Sequence, residues 1–137
     1  MIGELTGKYR FLSNFWSCFI KLDGVTYPSV ENAYQAAKCA NTIDRAKFVD
    51  CKASEAKRMG KLVSLRKDWN EIKLDIMYEL VKQKFVADYA LRGKLLETGS
   101  QEIQEGNWWG DCYWGTVNGI GENHLGKILM RVRDEVG

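Results

Sequence analysis

The spacing of apolar residues predicts a hairpin near the start of the chain. Apolar and polar residues alternate over 19–22 and 25–27, on either side of Asp23 and Gly24. An Asp-Gly pair between two alternating runs is a strong signal for a two-residue β-turn. We therefore expect a small antiparallel hairpin.

After Pro28 the apolar positions change to helical spacing. Val30, Ala33 and Ala37 recur along one side, and Ser29 before them is a suitable N-cap. Further helical patterns and start signals follow along the chain. The predicted helices cover 30–40, 43–50 after Thr42, 55–63 after Ser54, a long segment from Asp68 to about Phe85, 88–99 ending at Gly99, and a last stripe from Leu125 to Val136.

Length and composition favour one compact unit. The chain has 137 residues, 45% of them hydrophobic and 28% charged, and no repeat or linker divides it. Residues 1–137 are therefore expected to form a single, mainly α-helical domain with a small N-terminal β-hairpin.

The cysteines and the N-terminus indicate a cytoplasmic protein. The four cysteines form no Cys-x-x-Cys pair, and His124 is the only histidine, which gives little support for a metal site. The first residues lack a signal-peptide pattern, and no apolar run is long enough to span a membrane. We expect reduced thiols, no metal, no cofactor and no membrane association.

Charge is unevenly distributed although the net charge is only +2. Residues 38–67 contain nine Lys or Arg against three Asp or Glu, and residues 97–122 contain five Asp or Glu and no Lys or Arg. A phosphorylated substrate that needs carboxylates at its reacting carbon could use both segments. Two solvated helix faces would show the same pattern.

One polar stripe on the helix after Pro28 is a candidate site. Glu31, Gln35 and Lys38 stand at i, i+4 and i+7, on one line beside the apolar side. At the margin of a core these groups could line a pocket floor. The alternative is an exposed Glu–Lys pair on a helix surface.

A loop rich in glycine and tryptophan is the second candidate. Residues 106–121 hold five of the thirteen glycines and three of the five tryptophans, including Trp114, with Asp111 among them. Indole rings can stack on a nucleobase, and a carboxyl group among them suits an acid catalyst. Tryptophans anchoring the loop to the core are the alternative. His124 has no ligand partner nearby in sequence and receives no catalytic role.

Several enzyme classes lose their usual support. The sequence has no G-x-x-x-x-G-K-[ST] loop, no G-x-G-x-x-G motif after a strand and no G-x-S-x-G elbow. Nucleotide triphosphate hydrolysis, dinucleotide redox chemistry and serine esterase activity are therefore not expected.

Several short motifs follow one another along the chain: FLSNF at 11–15, DGVTYPSVENAYQAAK at 23–38, LLETG at 95–99, DCYWG at 111–115 and NHLGKILMRVR at 123–133. In this order they resemble the NADAR (YbiA-like) family. The resemblance covers about residues 9–133. One departure is Asn32, where the family often has histidine; asparagine can orient a partner but cannot transfer a proton near neutral pH.

The resemblance implies a YbiA-like N-glycosidase that cleaves a ribose–nitrogen bond. Some family members act on phosphorylated intermediates of riboflavin biosynthesis, and others remove ADP-ribose from guanine bases. Carried over by position, the reactive groups are Glu31, Lys38 and Asp111. The implied substrate-binding residues are Ser13, Asn14, Phe15, Gln35, Trp114, Gly115 and Asn123.

Cleavage of such a bond needs an anion near the sugar and a proton for the leaving nitrogen, and Glu31 and Asp111 suit those roles. Lys38 could neutralise a phosphate or attack C1′ of an opened ribose. The partner would be a small phosphorylated ribosyl substrate or an ADP-ribosylated nucleic acid. A non-catalytic module that binds nucleic acid or ADP-ribose is the alternative, because the basic segment and the tryptophans also suit that function.

Overall fold

The computed structural model describes all residues, 1–137, as a mainly helical protein. Its elements are a 3₁₀ helix Gly7–Leu12, strands β1 Ile20–Leu22 and β2 Val25–Tyr27, and helices α1 Val30–Ala37, α2 Thr42–Ala46, α3 Ala53–Met59, α4 Trp69–Ala87, α5 Tyr89–Glu97 and α6 His124–Val136. The predicted fold class, mainly α with a small N-terminal hairpin, is confirmed. The contacts divide the chain into a central unit, Asn14–Lys84, and a terminal unit, Met1–Ser13 with Phe85–Gly137.

The hairpin forms where the alternation predicts it. Strands β1 and β2 pair antiparallel, with Ile20 opposite Tyr27. Asp23 and Gly24 both have positive φ, 50° and 80°, which is the backbone that a two-residue turn between twisted strands requires. The buried Ile20 and Tyr27 fix which face of the hairpin joins the core of the central unit.

Helix α1 is the most deeply buried element of the central unit. The Ser29 side chain caps it by accepting the backbone N–H of Asn32 at 3.0 Å. All eight of its residues are buried, because α2, α3 and both strands pack around it. Glu31 and Gln35 are therefore enclosed by protein, and the alternative of an exposed Glu–Lys pair is wrong because its carboxylate is buried.

The first three predicted helices are longer than the helices in the structure. Helix α1 stops at Ala37, and the chain then pairs with a later segment: Ala40 donates its backbone N–H to the Ser64 carbonyl, and Arg66 donates to that of Lys38, each at 2.9 Å. Asn41, one residue before the expected Thr42, caps α2. Helix α3 begins at Ala53, not after Ser54.

The terminal unit contains the last two helices, α5 and α6, where the sequence predicts them. The Asp88 side chain caps α5 by accepting the Leu91 N–H at 3.1 Å, and Gly99 after it has φ +66°, as expected of a helix terminator. Helix α6 packs against α5 with its apolar stripe buried. Across the whole chain, the helices are all too short or too polar to traverse a lipid bilayer.

Candidate active site

The stripe on α1 forms a buried acid–amide pair. Glu31 is 8% exposed and Gln35 5% exposed, and the Gln35 Nε2 donates to the Glu31 Oε2 at 2.6 Å. The Glu31 backbone N–H donates to the Asn14 carbonyl at 3.0 Å, which fixes the start of the helix. The carboxylate is thus held by its own helix, and its orientation does not depend on solvent.

Lys38 lies one turn beyond Gln35 and is half-buried. Burial lowers the pKa of its ammonium below the ordinary 10.5; the charge of Lys61 acts in the same direction, and the carboxylate of Glu31 and the Cys39 thiol act against it. The amine therefore becomes neutral at lower pH than an exposed lysine does. A buried acid and an amine with a lowered pKa on one helix form the pattern expected of a catalytic site.

Asn14 and Phe15, which precede the hairpin, lie in the same unit as α1. Asn14 is buried, its Nδ2 donates to the Met77 Sδ at 3.4 Å, and its carbonyl accepts from Glu31. Phe15 is 42% exposed, and the Lys57 Nζ lies 6.0 Å from the centre of its ring. Asn14 therefore supports the helix, while Phe15 presents an accessible ring.

A cleft of about 430 Å³ opens at the start of α1 within the central unit. Its size is in the usual range for small-molecule sites. Its wall combines apolar groups with a thiol and hydroxyls; it consists of Phe15, Ser17, Pro28, Ser29, Asn32, Val49, Asp50, Cys51, Lys52 and Ala53. Phe15 is the one predicted substrate-binding residue in that wall.

Asn32, the departure from the family pattern, has a structural use. Its side chain is fully buried, and its Nδ2 donates to the carbonyls of Phe48 at 2.9 Å and Cys51 at 2.8 Å. Its Oδ1 accepts from the Ser29 hydroxyl at 2.6 Å. The asparagine therefore ties the segment after α2 to α1 by hydrogen bonds, with no titratable proton involved.

In the terminal unit, Asp111 organises the tryptophan loop. Its Oδ1 accepts the backbone N–H groups of Tyr113 at 3.0 Å and Trp114 at 2.9 Å. The Asn107 amide closes the loop from the other side, donating to the Asp111 carbonyl and accepting its N–H. One carboxylate oxygen of Asp111 thus has a structural role in addition to the predicted chemistry.

Gly115 and Asn123 belong to the same loop network. A Cβ on Gly115 would lie 1.9 Å from both the Glu105 carbonyl and its Oε2, so only glycine fits there. The Asn123 amide accepts from the Glu105 N–H and donates to the Ile103 carbonyl, each at 2.9 Å. Their predicted contacts with substrate stay predictions, as does that of Ser13.

The tryptophans of this loop differ in burial. Trp108 is 87% exposed and meets Trp109 edge to face at 5.7 Å. Trp114 is partly buried, and its ring packs edge to face on Tyr113 at 4.9 Å. The interpretation of all three as core anchors is wrong for Trp108, while Trp114 is sheltered enough to have a defined orientation.

Lys84 is a buried amine that the sequence analysis missed. It is 2% exposed on α4, and burial lowers its pKa from 10.5 to about 8, while the nearby Cys18 acts weakly against this. The signal was present, because Lys84 continues the buried positions Met77 and Val81 at helical spacing. Its place in this apolar stripe of α4 therefore indicates a core position for the lysine.

The lowered pKa of Lys84 predicts a pH-dependent stability. The unfolded chain keeps this proton up to about pH 10.5, whereas the folded chain releases it near pH 8, so the folded state gains stability as pH rises between them. Relative to Lys84→Met, the wild-type free energy of unfolding should rise by about 2–3 kcal/mol from pH 7 to pH 10. Urea unfolding of both proteins at each pH measures this difference. A difference that stays constant over the range would contradict the lowered pKa.

The architecture and sequence have close counterparts among N-glycosidases. The NMR structure of the Escherichia coli protein YbiA matches with a TM-score of 0.84 and 32% identity, over 99% of this chain and 86% of that chain. An N-glycosidase of Nostoc punctiforme is 37% identical over 135 residues, covering 93% of this chain and 86% of the relative. A riboflavin biosynthesis protein of Vibrio vulnificus is 36% identical over 133 residues; the match covers 94% of this chain, which spans only 36% of that longer protein. These relatives place the chain in the class of hydrolases that act on N-glycosyl bonds.

The family follows from the domain match. The NADAR domain model matches residues 3–137. The chain belongs to the NADAR family, as its motifs predict.

Proposed function

We propose that this protein hydrolyses the bond between ribose C1′ and a base nitrogen in a phosphorylated ribosyl substrate. The substrate is a ribosylamine phosphate of the riboflavin-intermediate type or ADP-ribosylated guanine. The four cysteines are free thiols, which suits an enzyme of the reducing cytoplasm. The relatives named as N-glycosidases and as a riboflavin biosynthesis protein support this substrate class.

The observation that carries the proposal is the buried Glu31 carboxylate on the helix that also presents Lys38. A buried carboxylate is costly to fold unless it is bound by donors, and here Gln35 supplies one at 2.6 Å. A carboxylate held away from water also interacts strongly with a positive charge that develops beside it. Cleavage of a C1′–N bond produces such a cation on the sugar.

The proposed reaction requires few groups. As the C1′–N bond breaks, Glu31 stabilises the positive charge on the sugar, and the base nitrogen takes a proton. Water supplies the hydroxyl that ends on C1′ and the proton that the departing base needs. The products are the free base and the sugar phosphate from the ribosylamine, or ADP-ribose and the restored guanine from the modified nucleic acid.

Lys38 can take part in one of two ways. As an ammonium it would bind a substrate phosphate. As a neutral amine it would attack C1′ of the ring-opened substrate, expel the base amine and leave an imine between C1′ and Nζ, which water then hydrolyses. The lowered pKa of Lys38 makes the neutral amine more available and favours the second role.

The other assignments rest on family resemblance. Asp111 as the acid for the leaving base, and Asn14, Gln35 and Trp114 as substrate-binding residues, remain proposals. The basic segment 38–67 would attract the substrate phosphate by its charge.

The decisive experiment offers both substrates to the purified protein. We expect mass spectrometry to detect a free base together with ribose phosphate from the ribosylamine, or free ADP-ribose together with unmodified guanine still in the strand from the modified nucleic acid. The Glu31→Gln variant, under the same conditions, should release neither. Equal release by wild type and variant would exclude Glu31 from the reaction, and no release by the wild type would reject the proposed activity.

A binding module without catalysis is the second candidate, favoured by the exposed Trp108. An exposed indole can stack on an unpaired base, at roughly 1–3 kcal/mol per base. This function would leave the Glu31–Gln35 pair without a purpose. Tight, salt-dependent binding of single-stranded nucleic acid without release of any base would support it.

A further inference from the structure

Gly60, at the C-terminal end of α3, lies against the amide of Gln35. A Cβ built on Gly60 would stand 1.9 Å from the Gln35 Oε1 and 2.5 Å from its Cδ. The φ of Gly60 is −61°, an ordinary helical value that any residue adopts. The Gln35 amide fills the space beside Gly60, so a side chain at this position would have to displace that amide, although the backbone conformation would accept it.

Only one of the two polar atoms of the Gln35 amide has a hydrogen-bond partner. Its Nε2 donates to Glu31, but its Oε1 is buried without a hydrogen-bond partner. A buried acceptor with no partner does not by itself keep an amide in place. The Oε1 lies within the space that a Cβ on Gly60 would occupy, so the Gly60 backbone borders the amide on that side.

We propose that Gly60 is a positioning residue for the reaction: by having no side chain, it leaves the pocket in which the Gln35 amide holds the Glu31 carboxylate. The inference rests on the proposed function, in which Glu31 acts at the reacting sugar. Gly60 contacts no reacting atom and acts only through Gln35. Its replacement should disturb catalysis to the extent that the Gln35–Glu31 hydrogen bond contributes to it.

The test is a double-mutant cycle on kcat with the ribosylated substrates. A hydrogen bond to a charged group is worth enough that Gln35→Ala and Gly60→Ala should each lower kcat roughly 10- to 100-fold. In the Gln35→Ala background the amide is gone, so adding Gly60→Ala should change kcat less than about twofold. Gly93→Ala is the matched control, because Gly93 is an exposed helical glycine whose Cβ would meet no atom within 4 Å.

An independent readout follows the amide itself. In the nitrogen–proton NMR spectrum, the Gln35 side-chain signals should move in Gly60→Ala and stay in place in Gly93→Ala. This measurement needs no substrate, so it tests Gly60 even if Glu31→Gln keeps full activity and the proposed function fails. Unmoved signals, wild-type kcat in Gly60→Ala, or an undiminished effect of Gly60→Ala in the Gln35→Ala background would each overturn the inference.

Misfolding of Gly60→Ala is also informative. The added methyl would stand 3.1 Å from the Ala56 carbonyl as well as against Gln35. If Gln35 is the obstacle, the double variant with Gln35→Ala should refold, as seen by circular dichroism. A double variant that stays unfolded would assign the clash to the Ala56 carbonyl and reject the role of Gln35.

Discussion

Glu31→Gln should lower kcat by at least about 100-fold while the protein stays folded. Removing a group that acts on the transition state by charge or proton transfer usually costs about 10²- to 10⁴-fold. The new amide has the same size as the carboxyl group, and its oxygen can still accept from Gln35, so the packing of α1 is kept. Steady-state release of the ribose phosphate or ADP-ribose measures the loss, and thermal unfolding monitors the fold.

The exposed Glu79 on α4 provides the control for this substitution. Glu79→Gln makes the same chemical change at a solvent-exposed position of the central unit. It should leave both kcat and the melting temperature unchanged within error. If Glu31→Gln also retained most of its activity, the buried carboxylate would have no part in the reaction.

The local elements of this fold could be predicted because short-range rules decide them. The Asp23-Gly24 turn, the Ser29 cap and the terminator at Gly99 each depend on residues a few positions apart. The end of α1 could not be predicted in this way. Ala40 leaves the helical path because its N–H pairs with the carbonyl of Ser64, a contact distant in sequence.

At the candidate site, the sequence likewise predicts the positions of the residues along one helix but not how deeply they are buried. Helical geometry correctly placed Glu31, Gln35 and Lys38 on one line, but the pattern suggested a position at the edge of the core. In the structure Glu31 and Gln35 are buried, because α2, α3 and the hairpin surround a helix of only eight residues. Burial of this kind arises from tertiary packing, which the spacing of residues along one helix does not determine.

Loss of the Lys38 amine should reduce turnover about as severely as loss of the carboxylate. We expect Lys38→Ala to lower kcat by about 10²- to 10³-fold, the usual effect of removing one group that stabilises or forms the reacting species. Lys38 ends α1 and is only half-buried, so the shorter side chain should not unfold the protein. Lys127→Ala, which removes an exposed lysine of α6 outside the basic segment, is the control and should keep its activity.

The two roles of Lys38 make opposite predictions. If the neutral amine attacks C1′, Lys38→Arg should be as inactive as Lys38→Ala, because arginine stays protonated. Wild-type kcat should then rise with pH and level off below pH 10.5, since burial lowers the pKa of Lys38. Borohydride, which adds hydride to the C1′=N bond, should leave a sugar phosphate attached to the peptide that contains Lys38. If the ammonium only binds phosphate, Lys38→Arg should retain much of the activity, kcat/KM should fall as pH rises through the same pKa, and no adduct should form.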